Sequence, residues 1–183
     1  MSYLLIIANT PSPNAKLLFD AVIRGAEETG YPIVKKTPLE ASAKDFLLAS
    51  GVIIGTTENF GYMSGLIKDM FERIYYPCLE GLVSLDSAND SLNEVHDKIV
   101  MPEKAGMSGK PSKNTEGLPW ALYVKAGLDG TGATNSVQKR VSGMRWKAVQ
   151  EPLLLHGKFK DEFIEECETL GAGMAEGLKL GIF

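Results

Sequence analysis

Cysteine and histidine are scarce in this chain, and their scarcity removes whole classes of chemistry. There are two cysteines, Cys78 and Cys167, and two histidines, His96 and His156, in 183 residues. The cysteines lie far apart, and neither belongs to a CxxC pair or a His/Cys group with metal-ligand spacing. No disulfide framework or metal site is therefore expected, and both read as free thiols on helices. The histidines stand apart from any evident nucleophile with a positioned acid, which favours structural or surface roles for them. Positive charge is not in excess either. Against 23 Asp and Glu there are 19 Lys and Arg, a net charge of −4, which argues against a dominant nucleic-acid or anionic-membrane partner. Long hydrophobic runs are also missing: nothing approaches the roughly 20 residues that cross a bilayer. The amino terminus, MSYLLIIANT, is apolar only briefly and has neither a basic region nor a small-residue cleavage site, so it reads as a first strand. The expected location is cytoplasmic.

What is present is concentrated in Gly51 to Tyr76, GVIIGTTENFGYMSGLIKDMFERIYY. Val52, Ile53 and Ile54 form a short apolar run between glycines, the pattern of a central parallel strand covered on both faces. Thr56 to Gly65, TTENFGYMSG, breaks that pattern. From Leu66 onward, Leu66, Ile67, Met70, Phe71 and Ile74 recur at helical spacing, with Ser64 as a possible N-cap. Ligands of open α/β sheets bind outside the carboxyl ends of the strands, where this loop falls.

Strand-like runs at Tyr3 to Ala8, Tyr31 to Lys36, Val52 to Gly55, Trp120 to Ala126 and Pro152 to His156 alternate with helix-like segments, which implies an α/β fold with a parallel sheet. The first helix is expected to start near Asn14 as N-cap, to bury Leu17, Leu18, Ala21, Val22 and Ala26, and to end near Gly30. Ala41 to Ala49, Thr131 to Trp146 and Lys160 to Lys179 complete five helices. One domain over residues 1–183 suffices. Its exception is Gly81 to Gly117, an insertion or extended loop of a length that is uncommon in compact domains. Trp120 is expected to begin a strand and Trp146 to end a helix. Met63, Met70, Met144 and Met174 read as core, and Glu165, Glu166 and Glu168 as a solvated helix face.

Three loops follow strands. Asn9 to Asn14, NTPSPN, could hold a phosphate at a helix amino terminus with help from the Thr10 and Ser12 hydroxyls, or could be a proline-rich turn. In Thr56 to Gly65, Phe60 or Tyr62 could cover a planar heterocycle, backbone amides near Glu58 to Gly61 could bond its edge, and Gly61 would permit close approach. Alternatively the two aromatics hold the loop down. In Ala126 to Ala133, AGLDGTGA, the run Gly130-x-Gly132-x-x-Asn135 fails the GxGxxG fingerprint at its third glycine, and Glu151 precedes its strand instead of following it. A dinucleotide site of that type is not supported. GMSGK, from Gly106 to Lys110, likewise lacks the spacing of a phosphate-binding P-loop.

Together these loops resemble those of the flavodoxin-like proteins, especially the NADPH-dependent FMN reductase and multimeric flavodoxin branch. The resemblance covers nearly the whole chain apart from Gly81 to Gly117. Its most specific part is GTTENFGYMSGLIKDMFER, which looks like that branch's G-T/S-P-x-x-x-G-x-M-S-G-x-x-K-x-x-x-D-R, with Thr57 in place of proline and Glu72 in place of aspartate. The resemblance implies a three-layer sandwich around a five-stranded parallel sheet of order 2-1-3-4-5. It also implies FMN as cofactor: phosphate on Thr10, Ser12, Pro13 and Asn14; ring on Glu58, Asn59, Phe60, Gly61 and Tyr62; and a flank made by Ala126, Gly127, Asp129 and Gly130. The phosphate loop departs from the T-x-T-G-N-T type, because Pro11 and Pro13 each lack an N–H, which predicts weaker FMN binding. The implied activity is NAD(P)H-dependent reduction of a quinone, flavin or similar small acceptor, with chemistry at flavin N5 and no catalytic side chain, in a possible homo-oligomer. A flavodoxin-type electron carrier and a flavin-free binding or regulatory protein on the same fold are the rivals.

Overall fold

The computed structural model describes residues 2–81 and 114–183. The chain runs β1 (Tyr3–Ala8), α1 (Pro13–Glu28), β2 (Ile33–Lys36), α2 (Ala43–Leu48), β3 (Ala49–Asn59), β4 (Tyr62–Met63), α3 (Gly65–Glu80), β5 (Pro119–Ala126), α4 (Thr131–Gly143), β6 (Lys147–Ala148), β7 (Leu153–His156) and α5 (Glu162–Lys179). The parallel sheet has the order β2-β1-β3-β5, and the far edge of β5 is paired by β6 near its start and by β7 near its end. Counting β7 as the fifth principal strand, this is the expected 2-1-3-4-5 order. The two additional strands are short: β6, and β4, which turns back antiparallel on the end of β3.

Strand residues alternate between two buried faces, which is why the strands read as continuous apolar runs. Leu5, Ile7, Val52, Ile54, Leu122 and Val124 join Phe46, Ile67, Phe71, Ile74 and Val137 in the core beneath α2, α3 and α4. On the other face Leu4, Ile6, Ile53 and Ala121 join Leu18, Val22, Leu170 and Met174 beneath α1 and α5. Those last two helices cross with their backbones touching. A Cβ on Gly25 would lie 2.0 Å from the Glu168 carbonyl oxygen, and one on Gly171 would lie 2.0 Å from that of Val22.

The four methionines are buried, Cys78 and Cys167 are free and buried on α3 and α5, and Glu165 and Glu166 are exposed, as expected, whereas Glu168 is half-buried and paired with Arg24. Several details differ. Helix α1 begins at Pro13, capped by Ser12, whose Oγ accepts from the Ala15 N–H at 3.3 Å; Asn14 lies inside the first turn. Proline suits the first helical position because its missing N–H would be unpaired there anyway. Leu17 is exposed, unlike the rest of the expected face. Helix α4 ends at Gly143, three residues before Trp146. Trp146 is buried beyond it, donating to Thr115 Oγ1 at 2.9 Å and stacking on Phe46 at 5.4 Å. Strand β3 continues four residues past Gly55, because its threonine side chains find partners inside the protein (below). Most of the insertion expected at Gly81 to Gly117, with His96 and Gly106 to Lys110, lies outside the described residues. Among the described residues no helix is long and apolar enough to cross a membrane.

Candidate functional site

The site is set by where the sheet changes direction. From β1 the chain crosses to β2 on one side, then returns to β3 on the other, so β1 and β3 flank the switch point, where doubly wound sheets hold their ligands. The first loop starts level with Gly55, whose carbonyl accepts the Asn9 N–H at 3.3 Å. Strand β3 then rises four further residues to Asn59, about 13 Å at the usual rise per residue. Thr56 Oγ1 donates to the Thr57 carbonyl and accepts from the Ser64 N–H at 3.0 Å, which pairs a buried hydroxyl and fixes the start of α3. Ser64 in turn accepts from the Ile67 N–H, the expected N-cap.

The tip of the β3–β4 hairpin is the two-residue turn Phe60-Gly61, with φ of 56° and 67°. A turn with both φ positive matches the twist of the flanking strands, but a phenylalanine held there costs on the order of 1 kcal/mol. Its ring is fully exposed. The hairpin is latched to α4 from below. Glu58 Oε2 accepts the Ala133 N–H at 2.7 Å, the Met63 N–H donates to Ser136 Oγ at 3.2 Å, and Arg140 donates to Tyr62 Oη at 2.9 Å. A Cβ on Gly132 would lie 2.0 Å from the Gly61 carbonyl oxygen, so only glycine lets the helix approach the turn this closely.

The three loops therefore line one edge of the sheet, but their residues play unequal parts. In the first, Ser12, Pro13 and Asn14 are exposed and Thr10 is half-buried. There is no acidic residue in the first turn of α1. In the second, Asn59, Phe60 and Gly61 are exposed, whereas the Glu58 carboxylate and the Tyr62 hydroxyl are turned to α4. In the third, Ala126 and Gly130 are buried while Gly127 and Asp129 are exposed. Asp129 accepts the Thr131 N–H at 2.9 Å, and that bond holds its carboxyl below the usual range, helped by the Thr131 hydroxyl and His156. With exposed Leu128, Leu154 and His156, Gly127 and Asp129 border an open cleft of about 730 Å³.

The amino terminus of α4 is thus already served by two carboxylates, Glu58 and Asp129, and that of α1 by none among the described residues. An anion approaching this edge is favoured at α1, where no acidic residue of the first turn offsets the positive end of the helix dipole, and repelled at α4. The other groups at this edge include hydroxyls, amides, the exposed Phe60 ring and the exposed His156 imidazole. That set is suited to binding and orienting a ligand.

Sequence reading did not find Gly132, Ser136 and Arg140 as supports for the hairpin. The only signal was the glycine count of the third loop. It also missed Tyr123. That ring lies over Gly55, where a Cβ would meet it at 2.1 Å, and its buried hydroxyl has no partner among the described residues. Burial, with Cys167 and Asp20 nearby, pushes its pKa well up.

A doubly wound α/β sheet with its switch point between β1 and β3 is the class these features define. No family model and no curated protein matches the sequence. Solved structures do match it. A flavodoxin from the domain Archaea aligns over 97% of this chain and 99% of its own, with 16% identity and a TM-score of 0.69. For oxidised Flavodoxin 2 from Bacillus cereus the figures are 98%, 99%, 15% and 0.63. The flavodiiron protein from Giardia intestinalis matches at 10% identity and a TM-score of 0.68 over 98% of this chain, which spans only 37% of that longer protein. The fold is flavodoxin-like.

Proposed function

We propose that the chain, as one domain over residues 1–183, binds FMN in the β1–β3 crevice and works as an NAD(P)H-dependent oxidoreductase that reduces a quinone, flavin or similar acceptor. The observation that carries the reading is the asymmetry of the two helix termini. It gives a ligand with one anionic end and one flat end a single favoured orientation, with its phosphate on Thr10, Ser12 and Asn14 and its ring toward the hairpin. Pro13 sets the first turn of α1 without competing for the phosphate. Phe60 offers a ring face, and the main chain from Glu58 to Tyr62 offers edge contacts. Ala126, Gly127, Asp129 and Gly130 form the opposite flank, where the Asp129 carboxylate keeps the anionic end away.

Bound FMN supplies hydride acceptance at N5 and onward electron transfer. The protein's part is to hold the ring with one face open and to keep its position fixed through the hairpin latch. The near full-length likeness to flavodoxins favours one other reading, a carrier that exchanges electrons with a protein partner and does not oxidise NAD(P)H.

The first test is the visible spectrum after incubation with excess FMN and desalting. Retained flavin bands are expected. The double variant Ser12→Ala, Asn14→Ala should lose FMN affinity about tenfold while riboflavin, which lacks the phosphate, binds both proteins alike. A colourless wild-type protein with no FMN affinity on titration would sink the flavin reading, and NAD(P)H oxidation with a quinone acceptor separates enzyme from carrier.

A further inference from the structure

Beside the hairpin, on the side away from the first loop, α3 and α4 enclose a groove of about 510 Å³ lined by Phe71, Glu72, Tyr75, Tyr76, Lys139 and Arg140. We propose that this groove receives the phosphates and adenine of the nicotinamide dinucleotide whose nicotinamide end lies at the hairpin. The inference rests on the oxidoreductase reading above.

Three observations carry it. The first is charge. Glu72 is paired with Lys68, whereas neither Lys139 nor Arg140 has a carboxylate partner among the described residues. Two adjacent cations beside a neutralised carboxylate, on a chain of net charge −4, form a local attraction for phosphate groups.

The second is ring surface. Tyr75 and Tyr76 meet edge to face at 5.3 Å, and Tyr76 is 61% exposed. Tyr75 is seated against α4 because position 143 is glycine; a Cβ there would meet its hydroxyl at 2.7 Å. An exposed ring face one side chain away from paired cations suits a purine attached to phosphates, and suits neither a purely apolar ligand nor a bare anion.

The third is continuity and reach. Arg140 hydrogen-bonds Tyr62 Oη at 2.9 Å and lies 5.9 Å from the centre of that ring, so the groove opens directly onto the hairpin. From Ser64 to Tyr76 the helix advances about 18 Å. This suits a ligand that starts at the hairpin and ends at Tyr76, as an extended dinucleotide does and a mononucleotide does not.

Lys139 and Tyr76 are both exposed, so changing them should leave folding intact. The test uses the full chain and measures NADP⁺ binding by titration calorimetry, NADPH oxidation by the FMN-loaded protein with a quinone acceptor, and mass by sedimentation. Lys139→Glu is expected to weaken NADP⁺ binding and raise KM for NADPH about tenfold, with kcat and FMN retention unchanged. Tyr76→Ser should act in the same direction by several-fold, and Lys139→Arg should stay near wild type. Unchanged Kd and KM in both variants, or no NADP⁺ binding by the wild type, would overturn the inference and leave FMN binding untouched. A dimer that dissociates on Tyr76→Ser with dinucleotide affinity intact would also overturn it, assigning the groove to a second copy. Lys139-dependent NADP⁺ binding by a protein that never retains FMN would support the groove and overturn the flavin reading instead.

Discussion

The amino termini of α1 and α4 open on the same edge of the sheet and are finished in opposite ways. At α1 a serine caps the helix, a proline fills the first position, and the first turn holds no acidic residue. At α4 the cap is Gly130 in the left-handed region, with no side chain to offer, and two carboxylates from elsewhere take its N–H groups. The positive end of one helix is neutralised by carboxylates, and that of the other is capped only by an uncharged hydroxyl. Equivalent helix ends in a doubly wound sheet are therefore not equivalent sites, and the acids around them decide which can receive an anion.

The largest break in this contrast is Gly132→Ala. Its methyl would sit on the Gly61 carbonyl, forcing the hairpin off α4. A stability loss of about 3 kcal/mol is expected by denaturant titration, with FMN retention lost as well. Next is Glu58→Ala, which leaves the buried Ala133 N–H without its acceptor and should cost about 2 kcal/mol in the same measurement. It should also loosen the selectivity for FMN over riboflavin, since one of the charges that repel a phosphate from α4 is gone. Smaller, and opposite in sign, is Phe60→Gly. Removing a side chain from a positive φ should stabilise the apo-protein by about 1 kcal/mol while weakening flavin binding, a divergence visible in melts with and without FMN. The smallest concerns pH. The folded-state pKa of Asp129 lies below its ordinary value of 3.8, chiefly through the Thr131 N–H, so its contribution is present above that value and disappears as pH falls through the folded one. Asp129→Asn should therefore lie below wild type in melting temperature at neutral pH, and the two should converge in acid.

The parts of this arrangement that could be read in advance are those encoded over short distances. Tyr3 to Ala8 is a strand in the structure with the bounds its apolar run implies, and the helical spacing from Leu66 onward is α3. The three loops follow from the alternation of these patterns. The extension of β3 through Thr56 and Thr57 was hidden because two threonines end an apolar run. They are buried only because Ser64 and Asn59 return to bond them. The latch was hidden for a stronger reason. Glu58 and Ala133 lie 75 residues apart, and Tyr62 and Arg140 lie 78 apart. Neither pair leaves a local pattern, so Glu58 and Tyr62 look like free site residues until α4 is set beside them. The cap at Ser12 instead of Asn14 sets the helix start two residues earlier, because Pro13 suits the first helical position.

The two thiols belong to different cores, Cys78 beneath α3 and Cys167 beneath α5, with the whole sheet between them. Burial pushes each up to about 12, Cys167 with further help from Glu166 and Glu168 and Cys78 against a small opposing effect of Thr115. At neutral pH both are then held as protonated thiols, whereas it is the thiolate that attacks peroxides and disulfides. The two cannot bridge while the sheet is intact, and a reagent must wait for an opening of the core to reach either. The covalent state of these two thiols should therefore be indifferent to the potential of whatever works at the loops.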